Sequence, residues 1–298
     1  MCGIVGLFLK SEALEPQLGA MLSQMLGVMN DRGPDSAGFA VYGAGDRTHI
    51  KLTLRPNGDD GIHTIADDLS KKLGKPLSSS VRGSHLVLTI PLEDEQAVRG
   101  WLAANRPDIR VVGAGRRMEL YKEVGLPSDV AQRFSLKDMA GTHGIGHTRM
   151  ATESAVTTDG AHPFSTGIDQ CLVHNGSLSN HNGVRRTLQR DGLTFQTEND
   201  TEVAAAYLTW RMRQGADLKS ALEASLSDLD GFYTFVVGAE SGFAVVRDPI
   251  ACKPAVMAET AEYVAFGTEY RALVGLPGIE NARMFEPEPA KVYVWERH

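Results

Sequence analysis

Short β-prone runs arrive in pairs along this chain, and their pairing limits the folds open to it. Runs rich in branched and aromatic residues cover 2–8, 37–42, 49–54, 84–90, 109–113, 118–124, 141–148, 170–174, 232–237, 242–246, 263–266 and 291–295. Helical spacing falls between only some of them. Pro16 opens a segment that carries Leu18, Met21, Leu22, Met25, Leu26 and Met29 on one face, and further helical patterns cover 181–190, 201–213, 218–226 and 269–274. A doubly wound parallel sheet would alternate strand and helix strictly. Paired strands point instead to an α+β fold of layered antiparallel sheets with helices outside. The runs 37–42 and 49–54 read as a hairpin joined through Gly43, Gly45 and Asp46. From Arg55 to Gly115 the texture changes to a Gly/Asp/Ser-punctuated stretch with a helical pattern at Val98, Trp101 and Leu102, which reads as a small β-α-β insertion.

Composition removes several classes of function. The 298 residues are 42% hydrophobic, with 30 Lys+Arg against 37 Asp+Glu and a net charge of -7, as in a soluble globular chain. No apolar run reaches bilayer length, so the expectation is no membrane partner. No basic stripe is present to neutralise phosphates, so the expectation is no nucleic acid. The N-terminal apolar stretch is short, broken by Gly3 and Gly6, and has no basic region before it; a cytoplasmic location follows as the expectation. Three cysteines without CxxC spacing make neither a disulfide framework nor a thiolate metal site.

Cys2 is the residue with the most chemistry. A small side chain after Met1 favours removal of the initiator, leaving a thiol and a free α-amine on one carbon. That amine titrates at about 7.7 to 8.0 in model peptides, and so serves as general base for its own side chain. A nucleophile attacking an amide also needs donors for the oxyanion and anchors for the rest of the substrate. Arg149, at the end of Gly146-His147-Thr148-Arg149, presents a planar fork suited to a carboxylate. His174-Asn175-Gly176 offers an amide beside a glycine that a ligand can approach closely. Asp200, before a helical pattern, suits either an N-cap or an ammonium group.

Taken together, Met1-Cys2-Gly3-Ile4-Val5-Gly6, Arg32-Gly33-Pro34-Asp35-Ser36, Gly146-His147-Thr148-Arg149 with Ala151-Thr152, His174-Asn175-Gly176, Asp200-Thr201-Glu202 and Arg247-Asp248-Pro249 resemble, in this order, the class II glutamine amidotransferase domain. That family belongs to the N-terminal-nucleophile hydrolases. The resemblance covers residues 2–298 apart from the 55–115 insertion, and implies a four-layer αββα sandwich. It also implies that Cys2 attacks the side-chain amide of L-glutamine, with a γ-glutamyl thioester as intermediate. By the same resemblance Asn175 and the Gly176 N–H form the oxyanion hole, and Arg149 binds the α-carboxylate. Asp200 takes the α-ammonium, Thr152 lies beside the substrate, and Arg32 and Asp35 support the N-terminal strand and its neighbouring loop. His162-Pro163-Phe164 resembles the start of the family's closing loop, and His162 is given no catalytic role. Two positions depart: the family often has an aromatic residue where this chain has Met150, and His or Gly where it has Glu153.

The chain ends soon after the run 291–295, so the ammonia acceptor is expected on another polypeptide. Residues 1–10, 14–22 and 119–127 resemble the amidotransferase subunit of three-subunit enzymes related to glutamate synthase, N-methylglutamate synthase in particular. This implies partner synthase subunits carrying FMN and an iron-sulfur cluster, with no cofactor and no metal in this chain. Three alternatives stay open: an N-terminal-cysteine acylase for another amide, a non-catalytic regulatory subunit of the same fold, and a glutaminase serving a different synthase.

Overall fold

The computed structural model describes residues 2–57, 62–151 and 155–297. In chain order its first strands and helices are β1 (Gly3–Leu9), α1 (Leu18–Gly27), β2 (Ser36–Tyr42), β3 (His49–Pro56), α2 (Ile65–Leu73), β4 (Ser78–Arg82), β5 (His85–Pro91), α3 (Glu95–Asn105) and β6 (Ile109–Gly115). The middle of the chain forms β7 (Met118–Val124), α4 (Pro127–Arg133), β8 (His143–Arg149), β9 (Phe164–Gly167), β10 (Gln170–Leu178), α5 (His181–Arg190), α6 (Asp200–Arg213) and α7 (Leu218–Asp228). The last strands are β11 (Gly231–Ala239), β12 (Gly242–Arg247), β13 (Val256–Glu259), β14 (Tyr263–Gly267), β15 (Arg283–Phe285) and β16 (Val292–Glu296).

Seven strands in the order β15-β13-β14-β1-β8-β2-β7 make one antiparallel sheet, and β16-β12-β11-β10-β9 make a second. The side-chain period of two sorts β1 between layers. Val5, Leu7 and Leu9 face the α1 stripe of Leu18, Met21, Leu22, Met25 and Leu26, whereas Ile4 and Phe8 face the second sheet. That middle layer is filled by Tyr42 and Ile145 from one sheet against Val173, Val236 and Phe243 from the other. A Cβ at Gly6 would lie 2.7 Å from the Phe243 ring, so glycine lets the sheets close there. The far face of the second sheet, with Leu172, Phe235 and Val246, packs on α6 and α7 through Val203, Tyr207 and Leu222. The layers are therefore helix, sheet, sheet, helix, the α+β architecture expected.

The hairpin expected between 37–42 and 49–54 does not form. Every residue of β2 is buried, and its two edges are taken by β7 and β8. β3 belongs to a third sheet, ordered β4-β5-β3-β6. Residues 43–48 therefore cross between sheets, which local turn composition does not distinguish from a hairpin loop. The third sheet has its own core, where Leu52, Leu54, Leu86 and Leu88 meet Ile65 and Leu69 of α2 and Val98 and Leu102 of α3. The exposed serines of β4 hide that strand from a hydrophobicity reading. The expected helix at 269–274 shortens to a single 3₁₀ turn, Tyr270–Ala272. Where the third sheet joins the sandwich, buried Asp169 accepts from the N–H groups of Arg116, Arg117 and Met118 at 2.8, 2.9 and 2.9 Å. No helix among the described residues is long and apolar enough to cross a membrane.

Candidate active site

Cys2 precedes β1, which lies between β8 and β14 with Gly3 opposite Thr148. Its carbonyl accepts from Arg32 Nε at 2.8 Å and from Asn175 Nδ2 at 3.4 Å, and its Sγ lies 4.0 Å from the Met150 carbonyl oxygen. Arg32 in turn pairs with Glu269, whose other oxygen is 2.6 Å from Arg271. Next to Glu269, Thr268 accepts from the Ile4 N–H at 2.8 Å and its own N–H reaches the Ile4 carbonyl at 2.9 Å. The start of β1 is thus held from both sides. Asp35 fixes the neighbouring loop: its N–H donates to the Arg149 carbonyl at 3.1 Å, and its carboxylate accepts from the Ala151 N–H at 2.8 Å. Arg32 thus contacts the Cys2 backbone, and Asp35 the backbone of Arg149 and Ala151.

Asn175 and Gly176 lie on β10, opposite Thr234 and Tyr233 of β11. Gly176 has φ +147, and a Cβ there would sit 2.0 Å from the Phe232 carbonyl oxygen, so only glycine fits here. Fully buried Asp248 stiffens the turn behind it by accepting from the N–H groups of Tyr233 at 3.0 Å and Ile250 at 2.8 Å. Arg247 is absorbed by carbonyls, donating to Pro287 at 3.0 Å and Lys253 at 2.7 Å. The Arg247-Asp248-Pro249 motif thus supports the fold around the site.

Cys2, Arg149, Asn175, Gly176 and Asp200 all line one cavity of about 760 Å³. Arg149 is buried at the end of β8, with Nη1 3.4 Å from the Ala155 carbonyl. Asp200 begins α6 but does not cap it; Asn199 does, accepting from the Thr201 N–H. The Asp200 carboxylate accepts from the Leu178 N–H at 3.0 Å and lies 3.6 Å from His174 Nδ1. Burial raises its carboxyl, but the hydrogen bond and charge of His174, the Leu178 N–H and nearby His181 outweigh that and hold it at about 2. An anion and a guanidinium thus face one cavity, as the two ends of a zwitterion require. Thr152 and Glu153 lie outside the described residues.

Sequence reasoning left several neighbours unassigned. His162 and His174 line the cavity, and the Thr201 hydroxyl sits between their rings at 2.7 Å from His162 Nε2 and 3.1 Å from His174 Nδ1. His147 stacks on His162 with centroids 4.0 Å apart, and burial pushes it down to about 3, so its Nε2, 3.0 Å from the His174 carbonyl, carries the proton. Burial also holds His162 well below the usual imidazole range. Lys253 and Asp159 also line the cavity. Glu269 had no signal in its own surroundings, being 237 positions from Arg32. Cys171 is buried, its thiol pushed up to about 12 by desolvation, and Cys252 is exposed.

Comparison with known proteins places this geometry. A profile described as a glutamine amidotransferase domain matches residues 132–290. The chain is 62% identical over 299 residues to the glutamine amidotransferase-like protein GlxB of Rhizobium meliloti (strain 1021), across 99% of this chain and 98% of that protein. The chain belongs to the glutamine amidotransferase family. A putative glutamine amidotransferase of Methanothermobacter thermautotrophicus is 33% identical across 98% of this chain and 99% of its own length. Among solved structures, glutamine phosphoribosylpyrophosphate amidotransferase from B. subtilis superimposes on 99% of the chain with a TM-score of 0.62 at 20% identity. The chain spans 47% of that structure's chain, and the likeness is one of fold alone. The family's chemistry is hydrolysis of the glutamine amide, and as a class II glutamine amidotransferase domain this chain is an enzyme of that kind.

Proposed function

We propose that the mature chain begins at Cys2 and releases ammonia from L-glutamine through a thioester on that residue. The observation that carries this reading is the convergence of Cys2, Asn175, Gly176, Arg149 and Asp200 on one cavity. In the proposed reaction the α-amine takes the thiol proton and sulfur attacks the glutamine Cδ. The amide oxygen becomes an oxyanion that accepts from Asn175 Nδ2 and the Gly176 N–H. Collapse of that intermediate breaks the C–N bond, and the proton held by the α-amine leaves with the nitrogen as ammonia. Water, deprotonated by the same amine, then attacks the thioester, and glutamate departs as the thiol is restored. Arg149 holds the α-carboxylate and Asp200 the α-ammonium, with Thr152 beside the substrate. Arg32 and Asp35 set where the nucleophile and the Arg149 loop stand.

The ammonia in this reading goes to a synthase on another polypeptide, in an enzyme of the glutamate synthase-like kind and N-methylglutamate synthase specifically, whose partner subunits carry the FMN and iron-sulfur cluster. Support comes from the likeness of 1–10, 14–22 and 119–127 to that subunit, and from relatives matched over 98% and 99% of their own length. Intact mass and a glutaminase assay test the first part: loss of Met1 together with glutamate release is expected, and an intact Met1 on inactive protein overturns it in favour of a regulatory subunit. Purification of the untagged complex tests the second, with co-purifying synthase chains and a flavin absorption spectrum as the expected result.

A further inference from the structure

The wall of the cavity behind Arg149 is formed by residues 155–161, a stretch that belongs to no strand or helix. Nothing in sheet register locates it, so side chains must. Arg55, at the end of β3 in the third sheet, reaches Asp159 with Nη1 2.7 Å from Oδ1, and Asn57 shares the same guanidinium nitrogen at 3.3 Å. Ser84, in the turn that joins β4 to β5 of the third sheet, donates to Glu123 Oε2 at 2.8 Å, and the other Glu123 oxygen accepts from the Thr158 hydroxyl. From β7, buried Lys122 donates to the carbonyls of Asp159 at 3.1 Å and Ala161 at 2.9 Å, its ammonium 4.4 Å from the Phe164 ring centre.

These ties end on the substrate clamp. A Cβ built on Gly160 would lie 3.3 Å from Arg149 Nη1, so the wall backbone lies against the guanidinium expected to bind the α-carboxylate. On the other side of the wall a second cavity, about 390 Å³, runs between β6 and β9; Asp159, Gln196 and Thr197 line both cavities. The third sheet therefore abuts the substrate site through one layer of residues.

We propose that the third sheet is a positioning element of the glutamine site: through Arg55 and Ser84 it fixes the 155–161 wall, and through that wall the Arg149 fork. This rests on the glutaminase reading and assigns the insertion a task in substrate binding. Arg55 touches no reacting atom; it acts through Asp159. Since the nucleophile and oxyanion donors are held by other elements, loosening the wall acts on ground-state binding more than on the chemical step.

The test compares the full-length processed chain with Arg55→Met and Arg55→Lys, measuring glutamine kinetics and peptide-level hydrogen exchange. Arg55→Met is expected to raise KM for glutamine about fivefold, as loss of a partly buried ion pair would, with kcat moving less than about twofold. Arg55→Lys restores part of the affinity because a cation again faces Asp159. Exchange accelerates in peptides covering 155–161 while those of β3 and β5 keep their protection. An unchanged KM, or a fall in kcat alone, overturns the proposal. So does faster exchange spread through the whole third sheet without rescue by lysine, which makes Arg55 a stabiliser of that sheet only. If the wild-type chain releases no glutamate, the glutaminase reading fails by itself, and exchange at 155–161 still decides whether Arg55 holds the wall.

Discussion

On one side of the cavity, Cys2, Asn175 and Gly176 stand on or next to paired strands, and register sets their positions: Gly3 opposite Thr148, Asn175 opposite Thr234. On the other, Arg149 leaves β8 into a wall of irregular backbone, held by Asp35, Lys122, Glu123 and Arg55 through side chains. Strand pairing repeats a hydrogen bond at nearly every residue, whereas a side-chain tie is single and costs rotamer entropy. In the proposed reading, the nucleophile side is therefore held by strand register and the clamp side by single side-chain ties. Changes on the first should act on turnover, and changes on the second on affinity.

The strongest test of that division is Cys2→Ala, which should abolish glutamine-dependent turnover while ammonia-dependent synthesis by an assembled complex survives. Cys2→Ser should also be nearly inactive, because a hydroxyl is far less nucleophilic than a thiol at neutral pH. Full glutaminase activity in either variant removes Cys2 as the nucleophile. Next in size, Asn175→Ala should lower kcat by about a hundredfold with a smaller change in KM, since its donor matters most when charge develops on the amide oxygen. A change confined to KM would place Asn175 with the clamp and break the comparison. On the clamp side, Arg149→Lys should raise KM about tenfold, because a point-charge ammonium does not reproduce the bidentate fork. Steady-state kinetics on the same preparation separates the two classes.

The smallest expected effect concerns whether the two sides unfold together. Burial holds His143 and His147 of the sandwich and His85 of the third sheet at about 3, well below the ordinary imidazole value. Below about pH 6.5 the unfolded chain takes up protons that these native rings refuse, so stability falls as pH drops from there toward 3. Each ring pulls in the same direction across that window. His85 lies 4.9 Å from the Phe134 ring centre, at the contact between third sheet and sandwich, so a single calorimetric transition that moves down in temperature between pH 6.5 and 4.5 is expected. Two transitions separating with pH would show that the third sheet unfolds independently.

Much of this was legible in the residues themselves. The β-run at 118–124 and the helix at 181–190 coincide with β7 and α5, because apolar periodicity reports directly which face is buried. Cys2, Asn175, Gly176, Arg149 and Asp200, picked out by residue type and motif, line one cavity. Those residue types are few, and the chemistry of a zwitterionic amide demands each of them. Less was legible wherever polarity masked an element, as in the serine-rich β4, or wherever a turn signal was ambiguous, as at 43–48.

What the sequence by itself determined is the alternation that makes layered antiparallel sheets, and the identity of the groups that do chemistry. Tertiary structure alone decided which strand each run pairs with, since a period of two names a face and never a partner. It also decided the long-range ties: Glu269 to Arg32, 237 positions apart, and Arg55 to Asp159, 104 apart. A charged residue on a loop looks the same in sequence whether it meets water or another charge. Only the packing of the sheets brings those particular side chains within reach of each other.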